Sequence, residues 1–357
     1  KFIAKKCFEY GLDVVQMVEI PNQFDVIRYT LDVAVTCADV IILYARSMDI
    51  AFCVNQHIYD TLDIFSQDLS KKFDKNKEVY RYVSKNQKSI YILHGNLKEL
   101  KLKFELYMDY MLEDMGNDPN TYRVVKLFGR TKDEIQHKLN EIAIPEDIQV
   151  TVMEGNYDVQ VVCKSLADHM FETKHDLKSF IRQLKSLFGQ DVYSTEAQDE
   201  IEDVVIQLLN KLDLKITTAE SCTGGLCASR LINVSGASNV IEEAYVTYSN
   251  RIKRDNLGVN KETLRKYTAV SAQTAEEMAS GIAKKTGCDC SISITGYAGP
   301  EGGDQENPVG TVYIGCCTNE TTEVKKYIFQ GNRAEVREQA VVFALDLLRR
   351  CVVKEYM

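Results

Sequence analysis

Tryptophan is absent from this chain, and proline and histidine are scarce, at five of each among 357 residues. No apolar run approaches the length of a membrane span and no signal peptide is visible, so the sequence reads as that of a chain that does not enter a membrane. A basic excess is also missing: 43 Lys and Arg stand against 52 Asp and Glu, a net charge of −9. That balance counts against broad nucleic-acid binding, which leaves a basic footprint. It does not exclude a small anionic substrate, because local fields can oppose the net charge. The cysteines contain no C-x-x-C step, which counts against a structural zinc site. Scattered thiols of this kind fit a reduced, cytoplasmic chain in which they are buried. An initiating methionine is lacking as well. The chain opens at Lys1 inside what reads as a helix, and we therefore expect residues upstream.

What is present is enough chain for two or three domains with real cores. Residues 1–115 alternate helix and strand. Helices are expected at 2–10 (stopped by Gly11), 25–37 and 97–112, and strands at 12–19, 39–44 and 89–93. The run Val40-Ile41-Ile42-Leu43 is typical of a buried parallel strand. The pattern implies a doubly wound sheet. From residue 122 the character changes to a small α+β unit. It has strands at 122–128, 148–153 and 159–163 (the last two around a turn at Gly155-Asn156) and helices at 131–142 and 175–188. Thr131 is the expected N-cap, with Glu134 three residues on. The polar stretch 194–199 reads as a linker. The last segment opens on an amphipathic helix, with Ile201, Val204, Val205, Leu208, Leu209 and Leu212 on one face. Alternating strands and helices follow to the end. We expect an α/β multidomain chain with domains at 1–118, 119–195 and 196–357.

The string Thr217-Thr218-Ala219-Glu220-Ser221-Cys222-Thr223-Gly224-Gly225 runs from a β-branched strand through small polar residues into a helix. It places Ser221 near a helix N-terminus, whose free amides attract a phosphate, a carboxylate or a developing oxyanion. Gly224 and Gly225 remove side chains that would block a ligand. Read alone, the same string is equally a capped helix start. A serine needs a base to attack. The five histidines are His57, His94, His137, His169 and His175, so the last domain has none. That excludes a Ser-His-Asp triad or a histidine metal site made within it and leaves lysine as the natural partner. Lys253 follows the strand-like segment ending at Tyr248, and Tyr248 can donate a hydrogen bond or relay a proton. Most lysines, however, are surface charges. A third element, residues 295–303, holds Thr295, Gly296, Gly299, Gly302 and Gly303 after an apolar strand. It is either a loop whose amides approach a ligand or a mobile surface loop. Arg333 and Arg337, at the start of the last helix, are in a position to reach a phosphate or to sit in solvent. Cys222 competes with Ser221, since a thiol at a helix start has a lowered pKa. The absence of histidine in the domain and the fit of a lysine base to an alcohol favour the serine.

Residues 201–353 resemble the C-terminal domain of the CinA (competence-damage inducible) family, also found alone as nicotinamide-nucleotide amidase. The strings that carry the resemblance are Thr-Ala-Glu-Ser-Cys-Thr-Gly-Gly at 218–225, Val-Thr-Tyr-Ser-Asn at 246–250 with Lys253, Ala-Val-Ser at 269–271, Thr-Gly-Tyr-Ala-Gly-Pro-Glu-Gly-Gly at 295–303 and Pro-Val-Gly-Thr-Val at 308–312. The resemblance implies hydrolysis of nicotinamide mononucleotide to nicotinate mononucleotide and ammonia, with no metal or other cofactor. It places the family's Ser, Tyr and Lys on Ser221, Tyr248 and Lys253. From their places at the helix start, in the glycine loop and at the last helix, Thr223, Gly224, Gly225, Thr295, Gly296, Gly299, Gly302, Gly303 and Arg333 are expected to hold the substrate. Asn332 departs from the aspartate usual before the arginine.

The front half is similar in layout to the family's molybdopterin-binding-like domain, which implies ADP-ribose pyrophosphatase activity and pairing of two chains into a homodimer. The middle segment resembles the family's KH-type domain but has no G-x-x-G loop, so RNA binding is not expected. In the front domain the opening strand is missing. Tyr44-Ala45-Arg46-Ser47-Met48-Asp49 replaces the glycine-rich loop, and Gly95-Asn96-Leu97 replaces a Gly-Pro-Pro loop, with Glu99 alone kept. A metal-dependent pyrophosphatase needs carboxylates and an open phosphate cradle. Three readings follow: an amidohydrolase, a nucleotide pyrophosphatase, or a non-catalytic nucleotide-binding protein. The intact set in the last domain favours the first.

Overall fold

The computed structural model describes residues 2–9, 12, 14–47, 49–51, 54–55, 58, 65–67, 79–83, 88–114, 122–155, 157–165 and 170–357. The expected helix stop at Gly11, Met48, the turn residue Asn156 and the boundary at 118/119 lie outside them. The chain divides into two compact units, one of residues 1–124, 141–151 and 161–184, the other of residues 125–140, 152–160 and 185–357. Among the described residues no helix is long and apolar enough to cross a membrane.

In the first unit, α1 (Phe2–Glu9), α2 (Phe24–Cys37) and α3 (Leu97–Asp114) surround a sheet of β1 (Val40–Ala45), β2 (Phe65–Gln67), β3 (Val79–Val83) and β4 (Ser89–His94), in the order β1-β4-β3-β2. β1 and β4 are parallel, in register from Val40↔Ser89 to Ala45↔His94, and β3 is antiparallel to β4. Alternation along β4 assigns its two faces. Tyr91 and Leu93 pack with Phe104, Met108 and Met111 of α3, whereas Ile90 and Ile92 pack with Ile27 and Leu31 of α2. A strand buried on both faces reads as a continuous apolar run. The strand expected at 12–19 does not form among its described residues, and Val15, Met17 and Val18 are exposed. β-propensity of this kind reflects packing against neighbours rather than an intrinsic backbone preference, and these exposed residues lack that packing.

Residues 122–194 contribute β5 (Tyr122–Leu127), α4 (Lys132–Leu139), β6 (Ile148–Glu154), β7 (Val159–Ser165), α5 (Met170–Phe188) and β8 (Val192–Ser194), with strand order β6-β7-β5-β8. α4 carries the capping box expected of Thr131 and Glu134, both arms formed.

The second unit continues with α6 (Ile201–Leu212), β9 (Ile216–Glu220), α7 (Leu226–Ile232), β10 (Ile241–Val246), α8 (Asn250–Leu257), α9 (Lys261–Tyr267), α10 (Ala272–Thr286), β11 (Cys290–Gly296), β12 (Thr311–Thr318), β13 (Thr321–Ile328) and α11 (Arg333–Tyr356). Its sheet has the order β10-β9-β11-β12-β13; the first three strands are parallel and the last two antiparallel. One face packs Ile216, Ile292 and Ile294 against Val205 and Leu209 of α6, Cys227 of α7 and Leu345 and Leu348 of α11. On the other, Ala219 meets Leu257, Leu264, Met278 and Ile282 from α8, α9 and α10. Ser291 and Ser293, alternate residues of β11, donate to the carbonyls of Ala279 and Ala275, which stitches α10 to the sheet.

Candidate active site

The carboxyl ends of β9, β10 and β11 point the same way and open onto one rim, the usual place for a ligand in an open α/β sheet. β9 ends at Glu220, and Ser221 is the next residue. Its amide donates to Ile294 O on β11 at 2.9 Å, which anchors the serine's backbone to the central strand. β10 ends at Val246. Thr247 then donates its amide to Glu220 O at 2.7 Å, and Ser249 caps α8 by accepting from Ile252 N. One turn into α8 lies Lys253. The lysine expected just past a strand thus projects from a short capped helix, and this makes its direction well defined.

Lys253 is 1% exposed. Its Nζ lies 2.8 Å from Ser221 Oγ, 2.7 Å from Thr247 O and 3.5 Å from Tyr248 O. Among the described residues no carboxylate pairs with it, and burial lowers its pKa from 10.5 to about 8. A neutral amine has two N–H donors and one lone pair. The Thr247 carbonyl, with the more distant Tyr248 carbonyl, takes the donors, so the lone pair is left for the Ser221 hydroxyl. This is the arrangement a general base needs.

Cys222 lies behind the turn within the apolar core cluster, and burial pushes its thiol up to about 11. The lowered thiol pKa expected of a helix start does not apply there, because desolvation outweighs the favourable charges.

Glu220 was not singled out by its sequence position, yet it organises the turn. It is fully buried. One carboxylate oxygen accepts from the amides of Gly225 (3.0 Å) and Cys227 (3.1 Å), the other from Ala228 N (2.8 Å) and, more distantly, Thr218 Oγ1 (3.4 Å). The helix-start amides expected to face a ligand are therefore satisfied by the protein itself, Gly225 among them. A glutamate at the end of a strand, five to eight residues before the amides it reaches, is a signal that spacing rules for N-caps do not cover.

The other predicted residues are placed as follows. Tyr248 is 65% exposed, and its phenol is within 3.4 Å of Arg333 Nη2, while its carbonyl faces Lys253. Arg333 also donates to Gly299 O at 2.7 Å, joining the glycine loop to the start of α11. Arg337 turns inward to Thr223 O at 2.7 Å. Thr223 Oγ1 and Arg337 Nε are buried without a hydrogen-bond partner among the described residues. Thr295 Oγ1 donates to Ala269 O. Gly296 faces β12 so closely that a Cβ there would come within 2.6 Å of Thr311 O, so it is required by sheet packing. Gly299 has φ +82° and turns the loop back toward Val309. Gly224, Gly302 and Gly303 likewise lie in turns at the same rim. The geometry brings Ser221 and Lys253 into direct contact. Arg333 joins the Tyr248 phenol to Gly299 of the 295–303 loop.

Comparison with known proteins identifies the family. Residues 198–352 match the CinA C-terminal domain. The CinA-like protein of Kosmotoga olearia is 40% identical over 269 residues, which covers 74% of this chain and 65% of that protein. A competence-damage inducible protein of Clostridium beijerinckii is 41% identical over 276 residues, 76% of this chain and 66% of the relative. These two alignments span slightly less than two thirds of the relatives' own length. A third, with a competence-damage inducible protein of Clostridium perfringens, runs over 385 residues at 30% identity and covers 98% of this chain and 93% of that one. A solved CinA superfamily structure from Klebsiella pneumoniae is 36% identical and covers 43% of this chain and 96% of its own, with a TM-score of 0.42. On the strength of the Clostridium perfringens relative, matched over nearly its whole length, the chain belongs to the CinA (competence-damage inducible) family.

Proposed function

We propose that the second unit hydrolyses the carboxamide of nicotinamide mononucleotide, giving nicotinate mononucleotide and ammonia. The observation that carries this reading is the 2.8 Å contact between Ser221 Oγ and a buried Lys253 Nζ that has no counter-charge. Neutral Lys253 removes the Ser221 proton as Oγ attacks the carboxamide carbon. The tetrahedral oxyanion faces the turn after Ser221 and the 295–303 loop. The Gly225, Cys227 and Ala228 amides are already engaged, as are those of Ser221 and Gly224, so the Cys222 and Thr223 amides are the ones assigned that role. The C–N bond breaks as Lys253 returns its proton to the departing nitrogen, and ammonia leaves. A water, deprotonated by the same lysine, then cleaves the acyl-serine. Arg333 supplies the cation for the nucleotide phosphate at the mouth.

The test is ammonia release from nicotinamide mononucleotide by the full chain, with nicotinamide riboside and free nicotinamide as controls. Release that needs Ser221 and Lys253, and that is fastest with the phosphorylated substrate, is expected. A chain that labels with a serine-directed reagent but releases no ammonia from any of the three has another substrate.

A further inference from the structure

We propose that Glu220 is a positioning residue for the nucleophile, acting through the turn it closes. The idea rests on the reading of Ser221 as the nucleophile. Glu220 is wholly buried and has no cationic partner among its hydrogen bonds. A carboxylate placed in a core as a structural ion pair would sit against Arg or Lys. This one instead accepts from three backbone amides and a threonine hydroxyl, filling the four lone-pair sites of its two oxygens. The three amides belong to Gly225, Cys227 and Ala228, so the side chain reaches over Ser221 and fastens the far end of the turn that carries it. The backbone of the same residue acts on the base. Glu220 O accepts the Thr247 amide at 2.7 Å, and Thr247 O accepts from Lys253 Nζ at 2.7 Å. One residue thus fixes the nucleophile's turn through its side chain and the base's carbonyl partner through its main chain.

The chemistry leaves little room for substitution. Glutamine has one acceptor oxygen, and its amide nitrogen would face N–H donors. Aspartate is a methylene short of the Ala228 amide. A second consequence concerns the ligand. With these amides taken, the start of α7 does not serve as the substrate's anion site, and the phosphate is directed toward Arg333.

The experiment uses the full chain and reads the nucleophile without the substrate. A fluorophosphonate probe labels an activated serine, and its rate is followed on either side of the Lys253 value of about 8. Ammonia release and the thermal midpoint are measured in parallel. In Glu220→Gln the labelling of Ser221 is expected to fall on the order of a hundredfold, the cost of a nucleophile displaced by about an ångström. The midpoint of its pH profile should stay where it is in the wild type, because Lys253 is untouched. In Glu220→Ala, added formate should fill the vacated space and restore part of the rate. A folded Glu220→Gln labelled at the wild-type rate overturns the proposal, and so does a pH midpoint that moves with the rate. If Glu220→Ala does not fold, Glu220→Gln carries the test. If neither folds, Glu220 is a folding residue and the proposal fails. Wild-type labelling at Ser221 without ammonia release removes the substrate reading and leaves Glu220 to be judged by its variants. No wild-type labelling at all removes both.

Discussion

Lys253 carries the tension between stability and chemistry in a single side chain. Burial lowers its pKa to about 8 from 10.5, so at neutral pH about a tenth of it is the free amine and kcat/KM should rise with a midpoint near 8. A flat pH profile between 6.5 and 9.5 would rule Lys253 out as the base. The same shift has a cost to the fold. Below pH 8 both folded and unfolded chains hold the proton and the full penalty applies. Between 8 and 10.5 the unfolded chain binds more protons, so stability rises with pH. The shift corresponds to about 3 kcal/mol, an upper figure given the hydrogen bonds the lysine also makes. Lys253→Met should therefore be inactive yet more stable than the wild type at pH 7, and the gap should close as pH approaches 10.5. A Lys253→Met chain that melts lower than the wild type at pH 7 contradicts this. Ser221→Ala should lose activity by roughly three or more orders of magnitude. Cys222→Ala should keep most of it, since a buried thiol pushed up to about 11 offers almost no thiolate at neutral pH. An inactive but folded Cys222→Ala beside an active Ser221→Ala reverses the assignment. At this scale the contact between Ser221 and Lys253 was legible because the last domain lacks histidine and the family motifs single out this serine and this lysine. Glu220 was not, because its role depends on where the chain folds back.

Elements whose sequence carries its own boundary signals were read closely. The Thr131–Glu134 capping box, the periodic helix Ile201–Leu212 and the apolar strands Val40–Ala45 and Cys290–Gly296 all form. Helices α8 and α9 were missed because they are short and polar, and are held by side-chain caps at Ser249 and Asn260 rather than by periodicity. The start of α11 yields a prediction of its own. Arg333 bridges Gly299 O and the Tyr248 phenol while the helix-start amides of Ala334 and Glu335 are capped by Asn332. On the proposed reading the phosphate falls to the side chain rather than to the helix end. Arg333→Ala should raise KM for nicotinamide mononucleotide about tenfold to a hundredfold, the worth of a charge-assisted hydrogen bond, with little change for nicotinamide riboside. An equal loss on both substrates would mean that the arginine only holds the loop. In the front sheet, β1 and β4 are the parallel pair, and their carboxyl ends would make the binding crevice. The Tyr44 phenol crosses it to donate to Gly95 O at 2.6 Å. A phosphate cradle cannot form where a tyrosine lies, so the full chain with ADP-ribose and magnesium, manganese or cobalt should release no AMP above background. Metal-dependent AMP release at an enzymatic rate would reopen that domain as a second site.

Across the whole molecule, the question is how much chain the active site needs. The match to the CinA C-terminal domain begins at residue 198, and every residue placed at the site lies beyond it. The compact second unit, however, also takes in residues 125–140, 152–160 and 185–197. The stretch 194–199, polar enough to read as a tether, is an ordered turn. Ser194 Oγ donates to the Asp199 carboxylate, Lys126 Nζ to the Asp199 carbonyl, and Ala197 is buried. Composition does not separate a tether from a turn whose polar groups bond one another, which is why the sequence misleads here. Behind it, α11 leans on the preceding segment. Arg350 donates to Asp191 and to Phe128 O, Arg349 to Gln190 O, and Asp346 holds both arginines. The Phe128 ring meets Phe343, which also meets Tyr327 and Phe329. A chain starting at Ser194 keeps the site but strips these partners. It exposes Phe343 and leaves Arg349 and Arg350 short of acceptors at the far end of the helix that begins with Arg333. It should fold and hydrolyse nicotinamide mononucleotide with nearly full kcat/KM, because among the described residues no hydrogen bond or ion pair joins a site residue to the deleted segment. Its stability should fall by roughly 3–5 kcal/mol, from the lost aromatic packing and the broken ion-pair network. Arg350→Met in the full chain should reproduce part of that loss with activity intact. Calorimetry of the three proteins beside ammonia release separates the two effects. A truncated chain that is folded but inactive would show that the site depends on residues before Ser194, and the assignment of the whole activity to the last segment would then be wrong.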